Sequence, residues 1–505
     1  MKKIFTYIFT ALLCVSMAGC SSAGGISTFT APVEKMPANF DPQIASASED
    51  LLVINNIFDG LFELQNGEVV KNMAEDCNIS ADGKTYTITI KDGNIFNCRG
   101  KHKEAYNGTA VTAHDYVFAL NRVLDPKTHS PYSEDFSNIL SVTAEKPNVL
   151  CIKLKTADFN FSEKLAMPAA YPCNEEFFYQ TGGAYGLTVD NILSNGPFML
   201  NYLDSEGGNA TIIRMTEADN AVERIRIKQT DSSAQAQEYL DEAISGYFSF
   251  SSQKTELTGT ASLSFDSGNI SLVFNKNKPV FDNDKIRQAL GWYAFGFENS
   301  GANMDAVSST GSVFPGTITL AGEYINDIIT PAVPAYMAAS PKELLRQGLA
   351  EMDISRIDAT TILMPDDSIY TLIYENINQL WQKNLGQFFT IEYLPTAQIK
   401  QRVDSGDFDI AFLPLTPSNR TPYGVLDKFT AYSSTLEETV NSAKAMSDQK
   451  NAVSLIAAAQ KTLLERAIVV PMGSEHTVFY FRNYFHNIYI DPFTGCINLK
   501  YATVK

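Results

Sequence analysis

The sequence predicts an α/β protein with two lobes of different architecture. Its 505 residues are enough for two or three domains. Residues 361–413 follow the order strand, helix, strand, helix, strand, which is typical of parallel βαβ units. Residues 84–90 instead alternate polar and apolar side chains before an Asp-Gly turn, which indicates antiparallel sheet. No internal repeat relates the two regions, so we do not expect the lobes to be copies of one another.

The chain begins with a segment that is typical of a secretory leader. Two lysines precede the apolar run IFTYIFTALLCVSM, which is too short to remain as a membrane-spanning helix. Two small residues then lead to Cys20, in a pattern that resembles the lipid-acceptor site of bacterial lipoproteins. Met17 stands where that pattern usually has Leu, so a secreted, unlipidated chain is the alternative. We predict a signal peptide over 1–19, a lipid anchor on Cys20 and a flexible tether over 20–28.

Charge and hydropathy restrict the partners of this chain. It has 57 acidic and 39 basic residues, for a net charge of −18. This balance disfavours nucleic acid and anionic lipid as partners. No later run reaches the roughly eighteen apolar residues that a membrane span needs. We therefore expect a soluble body at the outer face of a membrane, attached only through its lipid.

The cysteines that follow Cys20 do not form a recognisable framework. They are Cys77, Cys98, Cys151, Cys173 and Cys496. Their number is odd and no C-x-x-C occurs, which argues against a disulfide scaffold or a zinc site. Cys77 and Cys98 could pair across a hairpin. Cys151, in VLCIKLK, is interpreted as an unpaired thiol that shares one face of a strand with two lysines.

In the first half, a helix is expected beside the antiparallel sheet. Thr112 and Asp115 have capping-box spacing, and Pro126 stops the helix. Its apolar face consists of Val117, Leu120 and Leu124.

In the second half, the elements alternate in short order. They are a strand at 361–364, a helix capped by Ser368 and ended by Gly386, a strand at 389–394, a helix from Thr396, and a strand at 408–413. Ligands of such folds bind at the carboxyl ends of the strands. The loop LTPSNRTP, residues 415–422, is therefore a candidate site, and an ordinary proline-rich connection is the alternative.

Catalytic signatures do not emerge from the sequence. Gly83-Lys84-Thr85 leads into a strand rather than a helix, so it is interpreted as a turn and not a phosphate loop. Ser251 and Lys254 fit S-x-x-K, yet no S-D-N or K-T-G follows. No G-x-S-x-G or H-E-x-x-H occurs, and the five histidines form no i, i+4 pair. We expect no enzymatic activity, no cofactor and no metal site.

Five stretches, in order along nearly the whole mature chain, resemble solute-binding protein family 5, the oligopeptide- and dipeptide-binding lipoproteins of ABC importers. They are NNIFDGLFEL with the segments through NGTAVTAHDYVFALNRVLDP, then SNGPFML, LVFNKNKPVFDNDKIRQAL, DSGDFDIAF and VVPMGSEHTVFYFRNYFHNIYIDPFTG. The resemblance implies a periplasmic-binding-protein-like fold of type II, with two hinged lobes and an inserted α+β accessory domain.

The resemblance also implies domain boundaries. Lobe I would be discontinuous and consist of 29–57, 166–272 and 479–505. The accessory domain would be 58–165, and lobe III would be 273–478. Both tryptophans, Trp292 and Trp381, would then lie in lobe III. A ligand would close lobe I onto lobe III.

Candidate ligand-contacting residues follow from the resemblance and from the strand-end loop. They are Ser46, Ser48, Asn195, Asn275, Leu415, Thr416, Pro417, Ser418 and Arg420. Asn275 could bridge the hinge, or be a turn residue at a strand end. Arg420 could receive a carboxylate through its planar fork, or be a solvated loop charge.

Ser418 bears on the class of ligand. Peptide-binding relatives have an Asp there, four residues before a proline, which takes the ammonium group of the peptide. We therefore expect either ligands without a free α-ammonium or a different carboxylate that pairs with it.

These observations predict an extracytoplasmic, monomeric receptor that hands a peptide-like solute to a membrane permease. The ATPase of the importer would be a separate chain. The alternatives are a surface sensor or adhesion lipoprotein on the same fold, and a binder of an oligosaccharide or a metal chelate. A hydrolase is a third possibility.

Overall fold

The computed structural model describes residues 27–505 except 66–67, 251–256, 297–306, 332, 367–369, 416, 418 and 492–494. The predicted leader and the lipidation site at Cys20 lie outside the described residues.

Strands and helices alternate irregularly along the chain. The strands are β1 (Thr28–Val33), β2 (Phe62–Gln65), β3 (Glu68–Lys71), β4 (Ala74–Ile79), β5 (Thr85–Ile90), β6 (Ile139–Lys146), β7 (Val149–Leu154), β8 (Phe198–Asp204), β9 (Asn209–Arg214), β10 (Arg224–Gln229), β11 (Gly246–Phe250), β12 (Thr260–Phe274), β13 (Val307–Ser309), β14 (Thr319–Leu320), β15 (Glu323–Tyr324), β16 (Thr361–Pro365), β17 (Thr390–Leu394), β18 (Ile410–Leu415), β19 (Val469–Arg482), β20 (Phe485–His486), β21 (Tyr489–Ile490), β22 (Ile497–Asn498) and β23 (Thr503–Val504). The helices are α1 (Ser48–Ile57), α2 (Lys103–Tyr106), α3 (Ala113–Leu124), α4 (Phe161–Lys164), α5 (Glu175–Gln180), α6 (Ser232–Leu240), α7 (Pro279–Asp282), α8 (Asp284–Ala294), α9 (Ile325–Ile328), α10 (Pro341–Glu351), α11 (Thr371–Leu380), α12 (Thr396–Asp404), α13 (Tyr423–Leu426), α14 (Ser434–Lys444) and α15 (Val453–Glu465).

The accessory domain is built on an antiparallel sheet in the order β4-β5-β7-β6. Along β5 the side chains of Tyr86, Ile88 and Ile90 are buried while the threonines between them are half-buried, which confirms the predicted alternation. Helix α3 packs on this sheet, and its capping box forms as predicted between Thr112 and Asp115. Residues as far along the chain as Leu193 also pack into this core.

Lobe I is organised around a sheet in the order β1-β10-β9-β8, with β1 parallel to β10 and the other pairs antiparallel. Helix α1 packs on it through buried Leu52, Val53 and Ile57. The C-terminal segment after Phe479 contributes to the same core, so widely separated parts of the chain form one lobe.

Lobe III contains the predicted βαβ units. Strand β16 is parallel to both β17 and β18, which confirms the prediction. Helix α11 continues through a π-helical turn and ends at Gly386, whose φ of 65° lies in the left-handed region. Alternate residues of β16 and β18 belong to two different hydrophobic cores. Both faces of the sheet are therefore covered. This explains why TILM and IAFL are continuous apolar runs.

Two long strands carry the chain between the lobes. β12 and β19 pair antiparallel along almost their whole length. At one end Phe265 and Phe479 belong to the core of lobe I, and at the other Leu272 and Met472 belong to a core of lobe III. The pairing register shifts between Asp266 and Gly268, midway between these ends. A bulge breaks the regular ladder there, so this segment has the properties of a hinge.

The accessory domain is tied to lobe I by a buried ion pair. Arg122 on α3 contacts Asp41 at 2.5 Å, and their side chains are only 10% and 3% exposed. The same guanidinium donates to Gln43 Oε1 at 2.7 Å. Ser130 and Tyr132 donate from the accessory domain to backbone carbonyls of the same lobe I segment. These contacts hold the accessory domain against lobe I.

No disulfide joins any of the five cysteines within the described residues. The suggested pairing of Cys77 with Cys98 is therefore wrong, and the interpretation of Cys151 as an unpaired thiol is confirmed. Cys151 is buried rather than exposed beside the lysines, because β7 is an inner strand and places it between Thr87 and Thr143. Among the described residues, no helix is long and apolar enough to cross a bilayer.

Candidate functional site

A cavity of about 120 Å³ lies where the three units meet. Its wall includes Glu63, Leu64, Tyr132 and Glu163 from the accessory domain, Leu51, Asn55, Tyr171, Tyr489, Asp491 and Lys500 from lobe I, and Asn419 and Arg420 from lobe III. A partly enclosed space with mainly apolar walls and a few converging charges is the usual form of a small-molecule site. It lies between lobes that β12 and β19 connect.

Arg420 crosses the cavity from lobe III to lobe I. Its guanidinium forms an ion pair with Asp491 and donates to the hydroxyl of Tyr489 at 3.3 Å. The side chain of Arg420 is 7% exposed and that of Asp491 is 20% exposed. Burial alone would lower the pKa of Arg420, but Asp491 and Tyr489 outweigh it and raise that pKa. The guanidinium therefore stays charged and joins the two lobes.

Glu163 on α4 faces the same cavity from the accessory domain. Its Oε2 is shielded from solvent and has no hydrogen-bond partner. Burial raises the pKa of Glu163 to about 8, with Arg420 opposing the shift and Asp158 adding to it. A carboxyl group with this pKa is mostly protonated at neutral pH, which avoids a bare buried charge. The charged groups around it are Asp158, Lys164, Glu63, Arg420, Asp491 and Lys500.

Lys500 supplies a second cation to the wall, and its partners are also within the protein. Its ammonium contacts Asp59 at 2.7 Å and donates to the carbonyl of Phe58. Asp59 stands where the chain first enters the accessory domain. This buried pair therefore fixes the junction of the accessory domain with lobe I.

The strand-end loop reaches the cavity, as the βαβ pattern predicts. Leu415 ends β18 and is buried in the core of lobe III, and Pro417 is also buried. Arg420 lines the cavity beside Asn419. The alternative of a solvated charge at Arg420 is wrong, because the residue is 6% exposed. Thr416 and Ser418 lie outside the described residues.

The other candidates do not line this cavity. Ser46 and Ser48 are exposed at the start of α1, whereas Leu51 and Asn55 of that helix face the cavity. Asn195 is buried and forms two hydrogen bonds with the backbone of Asp59. Its Oδ1 accepts from the Asp59 amide at 3.0 Å, and its Nδ2 donates to the Asp59 carbonyl at 2.9 Å. It therefore holds the same lobe I junction as Lys500.

Asn275 has the structure of a turn residue at a strand end. Its Nδ2 donates to the carbonyls of Gly406 and Phe408 at 3.0 and 2.7 Å, and its Oδ1 accepts from the amide of Asn277. These partners all belong to lobe III. Asn275 thus fixes the end of β12 and does not bridge the hinge.

The sequence did not single out Glu163, Asp491, Tyr489 or Lys500. Each lies in a segment whose local pattern gives no sign of a cavity. The one available signal for Asp491 was its place in the C-terminal stretch that carries the family resemblance. Glu163 had no signal, since an acidic residue is unremarkable in a chain with 57 of them.

The chemistry of the wall is that of binding. Its cations and carboxylates suit a small polar solute with charged ends. Among the described residues, no group of three or more His, Cys, Asp or Glu side chains is placed to hold a metal ion.

Two lobes connected by a pair of long strands, with a charged cavity between them, are the architecture of a solute-binding protein. Residues 68–435 match the profile of the bacterial extracellular solute-binding proteins, family 5. The chain belongs to this family, which is one of solute-binding proteins and not of enzymes. The expected two-lobe α/β fold is confirmed.

The chain is similar over most of its length to named proteins. The dipeptide-binding protein DppE of Bacillus subtilis is 24% identical over 514 residues, which span 93% of this chain and 90% of DppE. The structure of Listeria monocytogenes OppA bound to peptide covers 95% of this chain and 100% of its own, with 20% identity and a TM-score of 0.73. The structure of the pheromone receptor PrgZ covers 95% of this chain and 99% of its own, with 19% identity and a TM-score of 0.72.

Proposed function

We propose that this protein captures a peptide or peptide-like solute outside the cytoplasm and delivers it to the permease of an ABC importer. The observation that carries the proposal is the charged cavity between lobes I and III, closed by Arg420 of one lobe against Asp491 of the other. Family membership and the named specificity of DppE support a peptide as the solute.

Closure of the lobes is the mechanism. The accessory domain and lobe I form one wall through contacts such as Arg122 with Asp41, and lobe III closes against that wall by bending at β12 and β19. A ligand favours closure only by binding the closed state better than the open one. The charged ends of the ligand would contact the buried charged groups of the cavity only in the closed state, which would give that state the higher affinity.

Attachment to the membrane through Cys20 completes the proposal. Several acyl chains on one cysteine hold a protein firmly at a bilayer surface, which would keep the receptor beside its permease. The receptor acts as a monomer, and ATP is hydrolysed by a separate chain.

The test is to identify what the protein carries. The mature protein is purified and denatured, and the released small molecules are identified by mass spectrometry. Binding of each candidate, and of a panel of peptides of two to five residues, is then measured by calorimetry. Peptides that bind and compact the protein in X-ray scattering support the proposal. Binding of oligosaccharides with no peptide binding would refute it.

A peptide sensor is the second candidate, since PrgZ is named a pheromone receptor and shares this fold. Uptake decides between the two. Loss of labelled-peptide uptake on deletion of the gene supports transport, whereas unchanged uptake with a lost response to the peptide supports sensing.

A further inference from the structure

Glu163 differs from Arg420 and Lys500 in the cavity wall because its carboxyl group forms no ion pair among the described residues. Arg420 pairs with Asp491, and Lys500 pairs with Asp59. The adjacent Lys164 points toward Asp158, at 3.9 Å. Glu163 Oε2, by contrast, is buried without a hydrogen-bond partner. A buried polar atom without a partner in a native protein calls for an explanation, and a role in binding a ligand is one.

Glu63, in the same wall, shows that this is not a general property of the cavity. Its Oε2 is also without a partner, but its other oxygen accepts hydrogen bonds from Gln65 and from Tyr501, the latter at 2.8 Å. Glu63 is therefore already held by the protein. Those hydrogen bonds stabilise the Glu63 carboxylate without a cation from a ligand.

We propose that Glu163 binds the primary ammonium group of the solute. The inference rests on the proposed function and deepens it, because it assigns the recognition of the amine to the accessory domain. It also answers the question raised by Ser418. An ammonium enclosed between the lobes needs a fixed negative partner, and a hydroxyl offers only a dipole.

Proton balance follows from the chemistry of the pair. In the closed protein without solute, Glu163 is held mostly protonated near neutral pH by its burial. An arriving R-NH₃⁺ favours the carboxylate, so the carboxyl O–H bond breaks and its proton leaves to solvent. The product is a buried ammonium–carboxylate pair with no net charge. Binding of an amine should therefore release close to one proton at pH 7.

Two kinds of ammonium fit this chemistry, the α-amine of a peptide and the side chain of a lysine within it. The test uses the tightest peptide found by the calorimetric panel, in three forms. These are the free peptide, its N-acetylated form and, where it contains lysine, the norleucine replacement. Each is titrated into the parent, Glu163→Gln and Glu104→Gln in two buffers of different ionisation enthalpy, which gives the protons released. Glu104 is an exposed acid on α2 that does not line the cavity.

The parent should bind the free amine at least about 100-fold more tightly than the form that lacks the recognised ammonium, since a buried unpaired charge costs several kcal/mol. Glu163→Gln should lose most of this preference and the proton release, while Glu104→Gln keeps both within about threefold. Sensitivity to acetylation or to norleucine identifies which amine is bound.

Unchanged binding and proton release in Glu163→Gln would overturn the assignment, as would equal binding of all three peptide forms by the parent. Binding of no peptide at all would mean that the proposed function fails, and the inference with it. Thermal melts of both variants check that they are folded, because Gln has the shape of Glu and removes only the titratable group.

Discussion

Replacement of Arg420 by methionine should oppose closure of the lobes without unfolding either of them. The substitution removes the cation that crosses the cavity and leaves Asp491 in the cavity wall without that partner in the closed state. In the open state, water can hydrate Asp491. The substitution therefore destabilises the closed state relative to the open state and does not lower the stability of the folded lobes.

The size of the effect follows from the burial of the pair. Breaking a buried ion pair by removing one partner costs about 3–5 kcal/mol, whereas an exposed pair contributes about 0–1 kcal/mol. Arg420 is 7% exposed and Asp491 is 20% exposed, which favours the lower end of the buried range. About 3 kcal/mol corresponds to roughly a hundredfold shift toward the open form. Ligand affinity should fall by up to the same factor, because closure is part of binding.

X-ray scattering during a peptide titration measures this shift. The parent should become compact near its dissociation constant, and Arg420→Met should need roughly 100-fold more peptide. Arg346→Met is the matched control, since Arg346 is 68% exposed and pairs with Glu343 on its own helix. That variant loses the same charge and should behave like the parent.

A second variant separates the pair from direct ligand binding. Arg420→Met combined with Asp491→Asn removes both charges, and such double replacements of buried pairs are often neutral. Closure should then recover most of the lost free energy. If the double variant is as impaired as Arg420→Met alone, Arg420 acts on the ligand and not through Asp491. If Arg420→Met compacts at the parental peptide concentration, the ion pair does not hold the lobes together.

Three further predictions concern the anchor, the cavity acid and the fixed domain junction. Cys20→Ser should move the protein from the membrane fraction to the soluble extracytoplasmic fraction, and retention on washed membranes would contradict the anchor. Because burial raises the pKa of Glu163 to about 8, its contribution to the stability of the closed protein is full below pH 4 and is lost as pH rises toward 8. Urea unfolding should therefore give a parental stability that falls more steeply over pH 5–8 than that of Glu163→Gln, by up to about 1.4 kcal/mol per pH unit; parallel curves would show that Glu163 does not titrate there. Arg122→Met leaves Asp41 buried without its cation and should lower the free energy of unfolding by about 3–5 kcal/mol, whereas a loss under 1 kcal/mol would mean that the junction is held by other contacts.

Local patterns predicted the elements well where one periodicity dominated. The alternation of TYTITI gave β5, and the spacing of Thr112 and Asp115 gave the start of α3. The strand-and-helix order of the second half gave the parallel pairing around β16. These features depend on residues within a few positions of each other, so a short window of sequence contains the necessary information.

The candidate site was predicted only in part. The rule that ligands bind beyond the carboxyl ends of parallel strands pointed to the loop of Arg420. The same reasoning could not show that Arg420 pairs with Asp491, which is 71 residues away in sequence and in the other lobe. The proposed boundaries of lobe I, the accessory domain and lobe III remain predictions.

The sequence by itself determined the class of the protein, the α/β elements and the position of one loop of the cavity. These features could be predicted because helix caps, strand periodicity and family segments depend on residues that are close together in sequence. Only the tertiary structure decided which charges meet. Glu163, Asp491 and Lys500 are ordinary surface residues by sequence, and they acquire a role because folding brings three separate units around one space and removes water from it. The energy of a charge depends on that exclusion of water, and burial is a property of the assembled fold rather than of any segment.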